Sequence, residues 1–368
     1  MFNKALWYKN YKQAKFILWS MWVVLFLGMP VQVITRLQNL AEYQKNELSI
    51  NPNFKISTDY FYNSVLNFIS IYIVLLILIF ILASLLIGSE RGNKTNDFTF
   101  SLPFSRKQIF LSKWMIGTAF ISSAFILNFI FTQVIIYFSE YQNMLNFEWS
   151  IIYFIYPFTA FMALYVFALF FGTITGGFIY QAALTFIFFI FPLGIYFLLE
   201  IFSQTVLNKE LYNFHNKFDL WFLGNYLDIS SYSSKNLFFK KVHLNYFIED
   251  GFYSLQSYDY DYQFSFYFLF IPVLYTLILL PLSALLYERN KVECNGKFLL
   301  FSQLNKFFMF GIVICFALLG GLIGTAFVPF HLKNLNSLFY LFGLIGSGTL
   351  SYYFTKKLYN MNLKISSR

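Results

Sequence analysis

The chain has 368 residues, of which 58% are hydrophobic, 23% aromatic and only 12% charged; a soluble globular chain carries about 25% charged residues. This composition excludes a secreted disulfide scaffold, a disordered chain and a soluble enzyme with a water-filled cleft, and it points to an integral membrane protein. The formal charge of +9 invites a nucleic-acid reading, which the placement of the charges must decide.

The chain opens on a basic leader. Wound as a helix, Phe2, Leu6, Trp7, Tyr11 and Ala14 fall on one arc and Lys4, Lys9, Lys12 and Lys15 on the other. This predicts an interfacial helix over 1–15 on the inner leaflet, with a frayed basic terminus as the plainer alternative. The apolar run that follows is too long for a signal-peptide core. It contains Pro30 and ends in Thr35-Arg36-Leu37 without a small-residue cleavage pattern, so it reads as an uncleaved anchor.

Eight apolar stretches then succeed one another: Phe16–Ile34, Val65–Ile87, Trp114–Phe138, Trp149–Gly172, Phe178–Phe202, Phe264–Leu286, Phe307–Phe330 and Leu338–Phe354. Most approach or exceed the ~20 residues a helix needs to cross about 30 Å of hydrocarbon. Nothing alternates as the strands of a barrel would. The expectation is an all-α polytopic bundle of eight transmembrane helices with both termini cytoplasmic. Its parts are the leader 1–15, a six-span core over 16–286, a cytoplasmic linker 287–306, and two further spans with a tail over 307–368. Within the core lie a loop at 88–113 and an outer segment at 203–263.

With the N-terminus inside, the inner segments carry 17 Lys and Arg, and the outer ones only 9 against twelve acids. The basicity is therefore a topology signal and not a nucleic-acid footprint. Cys294 and Cys315 form no disulfide framework, and His215, His243 and His331 form no metal-spaced pair. There is no phosphate loop: Gly296-Lys297 lacks the upstream glycine and the following hydroxyl. Of the acids only Glu200 falls within an expected span, near its end, and the other seven spans carry no Asp, Glu, Lys, Arg or His. That argues against an intramembrane ion relay, so any energy arrives from another subunit.

The informative stretch is 88–113. Pro103 stops any helix before it, and Ser105 with Gln108 forms a capping box that opens the next. Residues Glu90–Phe100 read as a short amphipathic helix suited to a partner's groove, or as an ordinary basic loop. Glu90, Lys94-Thr95, the run Ser101-Leu102-Pro103-Phe104-Ser105-Arg106, Ile109 and Lys113 resemble the first cytoplasmic loop of type-2 ABC-exporter permeases. Tyr287-Glu288-Arg289, Glu293 and Gly296 resemble a cytoplasmic segment of the eight-span Gram-positive subgroup, some members of which respond to cell-wall-active antibiotics.

The resemblance implies an exporter permease in a bacterial plasma membrane, not itself an enzyme. It implies a separate ABC ATPase in two copies, a second permease, identical or paralogous, and no nucleic acid. This chain would bind no cofactor, with ATP and magnesium on the partner. Coupling to the ATPase would fall to Glu90, Lys94, Asp97, Phe98, Phe100, Leu102, Pro103, Ser105 and Arg106, with a second contact at Arg289, Glu293 and Gly296. The two C-terminal spans and the long outer segment depart from the six-span pattern.

That outer segment, with its run Tyr258-Asp259-Tyr260-Asp261-Tyr262, reads as a lid or receptor surface or, preferably, a cap of short helices. Gly172/Gly176, Gly320/Gly324 and the set Gly343, Gly346, Gly348 permit close helix packing, within one bundle or at a dimer face. By analogy with the family, the aromatic fifth span would face a partner permease and line the path, broken near its middle by Pro192 and Gly194. Its phenylalanines suit an amphipathic, peptide or lipid-linked cargo, or simply a packed core. A non-transporting membrane sensor or scaffold that detects a ligand through 203–263 stands as the alternative function.

Overall fold

The computed structural model describes residues 4–93, 95–209, 221–227, 239–242, 248–249, 252–253, 261–264, 269–290, 298–301, 303–328 and 335–365. Among the described residues, seven helices are long and apolar enough to cross a membrane.

The first is α1 (Lys4–Phe26), which runs through a wide π turn at Leu27–Val31 into α2 (Gln32–Ile50). It is one 47-residue helix, roughly 70 Å long at 1.5 Å per residue. The expected separate interfacial helix over 1–15 is thereby corrected, and Phe2 lies outside the described residues. The inward stripe Leu6, Asn10, Ala14, Leu18, Met21, Leu25 keeps helical spacing straight across residue 15, so nothing there turns the chain. The interruption comes at Pro30, whose missing N–H breaks the ladder.

A short helix α3 (Thr58–Leu66), capped by Ser57, leads to α4 (Ile69–Ala83), which passes through a second π turn, Ser84–Gly88, into α5 (Ser89–Gly92). Next come α6 (Asn96–Ser101), α7 (Arg106–Tyr137), α8 (Phe147–Ile174) and α9 (Phe178–Phe202). The fifth span has the expected bounds but not the expected break, since α9 continues through Pro192 and Gly194. In an apolar segment a proline's freed carbonyl is satisfied locally and the helix persists.

α4 and α8 form the centre. α8 packs along α10 (Phe270–Glu288), α4 and α7, while α1 lies along α7 and α4. Aromatic rings fill the middle: Tyr72 stacks on Phe125 at 5.8 Å and meets the edge of Phe161 at 5.5 Å, and Phe154 stacks on Phe158 at 5.4 Å. Such ring pairs add to the packing that holds helices together where water supplies no drive.

α11 (Leu304–Ala326) and α12 (Asn336–Ile365) make a hairpin that packs mainly on itself and reaches the rest of the bundle through α9 and the turn after it. The eighth expected span lies inside α12, which is not among the seven most apolar helices because its glycines, serines, threonines and tyrosines dilute it. Only parts of the outer segment are among the described residues. They hold a 3-10 turn at Leu223–Tyr226 and two antiparallel pairs, β1 (Phe239–Val242) with β4 (Asp261–Phe264) and β2 (Ile248–Glu249) with β3 (Phe252–Tyr253). Aromatic residues and valine in these short runs favour strand. Phe264, expected to open the sixth span, pairs with Phe239 instead, and that span begins at Phe270. His215, His243 and Tyr258–Tyr260 lie outside the described residues.

Candidate functional site at the ends of the second and third spans

The π turn Ser84–Gly88 sets the geometry here. A π turn accommodates one extra residue, and each residue of an α-helix advances by about 100°, so the turn re-aims everything after it. It also exposes carbonyls. Lys113 of α7 donates to Leu86 O, and Gln13 of α1 donates to Leu85 O at 2.5 Å and to Ser89 Oγ at 2.9 Å. Gly88 abuts the start of α9: a Cβ there would meet Phe178 Cα at 2.7 Å, so only glycine lets the two chains approach so closely.

Beyond the turn, Glu90 and Arg91 point inward to different helices. Glu90 is only 4% exposed, and its carboxylate meets Lys113 Nζ at 2.6 Å and Lys9 Nζ at 2.9 Å. One acid thus joins α1, the end of the second span and α7. Lys9 also donates to Thr99 Oγ1 of α6 at 2.6 Å, and Asn10 donates to Ser112 Oγ at 2.9 Å. Arg91, 1% exposed, donates through Nη1 to Gly172 O and, at 2.5 Å, to Thr175 O. It therefore caps the carbonyl end of α8, where the helix dipole favours a cation. Its guanidinium also lies over the Tyr287 ring, 5.6 Å from the centroid.

The segment between these helices is not one amphipathic helix but two, α5 and α6, parted at Asn93–Thr95. Pro103 follows the end of α6, and the capping box is present: Gln108 N–H donates to Ser105 Oγ at 3.2 Å, and Ser105 N–H donates to Gln108 Oε1 at 3.1 Å. Phe100 lies between the Arg106 guanidinium, 4.4 Å from its centroid, and the edge of Tyr287 at 5.8 Å. Arg106 itself donates to Glu288 O and Asn290 O, at 3.0 and 2.7 Å, which ties α7 to the end of α10.

The residues named from sequence thus divide. Glu90 is consumed inside the chain, and Arg106 is held by α10. Phe100 and Leu102 pack partly against the core, whereas Phe98, 69% exposed, stands outward with Ser101, Pro103, Ser105, Lys107 and Arg289. Lys94, Glu293, Gly296 and the side chain of Asp97 lie outside the described residues. Sequence reasoning did not single out Lys9, Arg91 and Tyr287 as site residues. For Arg91 the signal was an acid and a base following directly on a long apolar run without proline, which places charge where water is scarce and demands partners.

A further contact joins the linker ahead of the C-terminal hairpin to this end of the molecule. Leu300 N–H donates to Ile174 O at 2.9 Å beside a bridge between Thr175 and Leu299, at the same turn that Arg91 caps.

Residues 53–228 match the model of the ABC-2 family transporter proteins. This stretch runs from just before α3, through the second to fifth spans and the segment around Glu90–Arg106, into the outer segment. Together with the apolar helices it supports a multi-pass membrane component of permease type. Neither the curated proteins nor the solved structures compared with the chain gave a match.

Proposed function

We propose that the chain is the permease subunit of an ATP-driven ABC exporter, powered by a separate ATPase that docks on the segment 88–113. The observation that carries this reading is the division of labour in that segment. Buried charges fasten it to the ends of several spans, while Phe98 is left as an exposed aromatic knob. An exposed aromatic at such an edge fits a pocket in a soluble partner. ATP binding would move the docked ATPase, and α6, gripped by Lys9, Phe100 and Arg106, would carry that motion to the helix ends.

In this reading both termini and the 287–306 linker are cytoplasmic, in agreement with the excess of Lys and Arg on that side. The core spans 16–286, and the pair 307–368 is an addition to it. Two ATPase copies and a second permease, identical or paralogous, complete the assembly in a bacterial plasma membrane, with ATP and magnesium held by the ATPase. Exposed Ile179, Phe186, Ile190 and Phe197 on α9 suit a partner permease and an amphipathic, peptide or envelope-related cargo.

Affinity purification from native membranes in mild detergent tests the proposal. A stoichiometric protein with a phosphate loop should accompany the chain and be lost from Phe98→Ala. Purification of the chain without any ATPase would overturn it.

A further inference from the structure

The docking segment is gripped from two sides. Arg106 and Tyr287 hold it toward α10, and Lys9 holds it toward α1. The second grip reaches two separate places, since one ammonium binds Glu90 at the end of the second span and Thr99 in α6. Glu90 is in turn fixed by Lys113, and Thr99 is buried, whereas Lys9 keeps a third of its side-chain surface exposed. Lys9 is therefore the member of this set that can be replaced without leaving a fully buried charge alone.

What Lys9 grips from is equally informative. α1 has no break between Lys4 and the π turn at Leu27–Val31, and α2 continues it to Ile50. At the π turn Gly28 lies against Ile71 of α4, where a Cβ would meet Ile71 Cδ1 at 2.8 Å, so the rod is guided there rather than free. At the far end Arg36 donates to Val65 O at 3.2 Å and to Asn67 O, Tyr43 stacks on Tyr60 at 5.1 Å, and Tyr141 donates to Gln44 Oε1 at 3.0 Å. The two ends of one helix thus hold the docking segment on one side of the bundle and the loops around α3 on the other.

We infer that Lys9 is a positioning residue through which α6 moves the first helix as a rod, so that docking at one face is registered at the opposite face. This rests on the docking role proposed for 88–113. A rigid helix is a suitable carrier of such coupling only if both ends have discrete partners, and here both do.

The test uses the full chain with Cys294→Ser and Cys315→Ser in lipid nanodiscs, together with the ATPase that accompanies it from native membranes. In Lys9→Met, amide exchange across Asn96–Ser101 should rise about tenfold, as expected for loss of a charge-assisted hydrogen bond, while α8 and α10 stay unchanged. Lys9→Arg should restore it. Unchanged exchange in α6 would overturn the grip. Spin labels at Glu42→Cys on α2 and Phe147→Cys on α8 should report an ATP-dependent distance change that is lost in Lys9→Met. A change that persists in Lys9→Met, or that never occurs with the native Lys9, would overturn the rod. If no ATPase accompanies the chain, the docking role falls, while the exchange in α6 still decides whether Lys9 holds the segment.

Discussion

The ends of the second to fourth spans and the α11–α12 hairpin are built from similarly apolar sequence yet held together by opposite means. Around Glu90 the helices are joined by buried charge: one carboxylate serves two lysines, and one guanidinium serves two carbonyls and a ring. In the hairpin they are joined by close approach at glycines, with the hydroxyls of Tyr340 and Ser347 donating across to Leu318 O and Ala317 O at 3.3 Å. Gly320 lies under Gly343 and Ser347, Gly324 lies under Phe339, and a Cβ on Gly324 would meet Phe339 O at 2.5 Å. The first device is directional and fixes which helices meet and in what rotation. The second is permissive and only lets two helices come close. The glycine pattern read from sequence as either intrachain or dimeric packing is, for Gly320, Gly324 and Gly343, intrachain. A Cβ on Gly346 would meet nothing within 4 Å.

That contrast can be broken most severely at Glu90. Glu90→Gln leaves Lys113 buried without its counter-charge and should destabilise the folded chain by about 3–5 kcal/mol. SDS-driven unfolding in lipid nanodiscs measures it. Combining it with Lys113→Met should recover a substantial part, as expected for one coupled pair. A loss within about 0.5 kcal/mol would mean that charge is not what fastens this end. In the hairpin, Gly343→Leu should cost about 1–3 kcal/mol by overpacking and act only locally. Ala317 Cβ lies 3.2 Å from where a Cβ on Gly348 would stand, so Ala317→Cys with Gly348→Cys should cross-link readily. Adding Gly343→Leu should suppress the cross-link while amide exchange in α1–α10 stays unchanged.

Ser105→Ala removes one side of the capping box and should cost about 1 kcal/mol, seen as faster exchange over Arg106–Ile109. Phe98→Ala should alter stability by less than about 0.5 kcal/mol, since the ring is exposed, yet abolish ATPase capture. Those two substitutions separate what shapes the segment from what it presents.

Much of the fold is legible in the sequence because the spans are long and uncharged. Phe178–Phe202 is found with its expected bounds, and the Ser105–Gln108 box with its expected bonds, since both depend on neighbours along the chain. The misreadings have a different origin. Residues 1–15 look like a surface helix when their apolar and lysine arcs are read by themselves, but the buried stripe from Leu6 to Leu25 runs on from them into the first span. Pro192 looks like a break because in water it would be one. At the site, Glu90 and Arg106 read as outward contacts, because the partners that draw them inward lie elsewhere in the chain: Lys113 across the loop, Lys9 in the first helix, and the carbonyls of Glu288 and Asn290 beyond the sixth span. The π turn that re-aims Glu90 and Arg91 has no marker in Ser84-Leu85-Leu86-Ile87-Gly88 beyond its small residues.

The shared carboxylate also orders the birth of the molecule. Lys9 enters first and has no counter-ion until the second span has followed. Glu90 then arrives with one of its two partners, and Lys113 can join only when the third span is being threaded. All three groups meet only with three spans side by side. A chain stalled before the second span therefore carries Lys9 without its carboxylate, and one stalled before the third carries a Glu90 that holds one lysine in place of two.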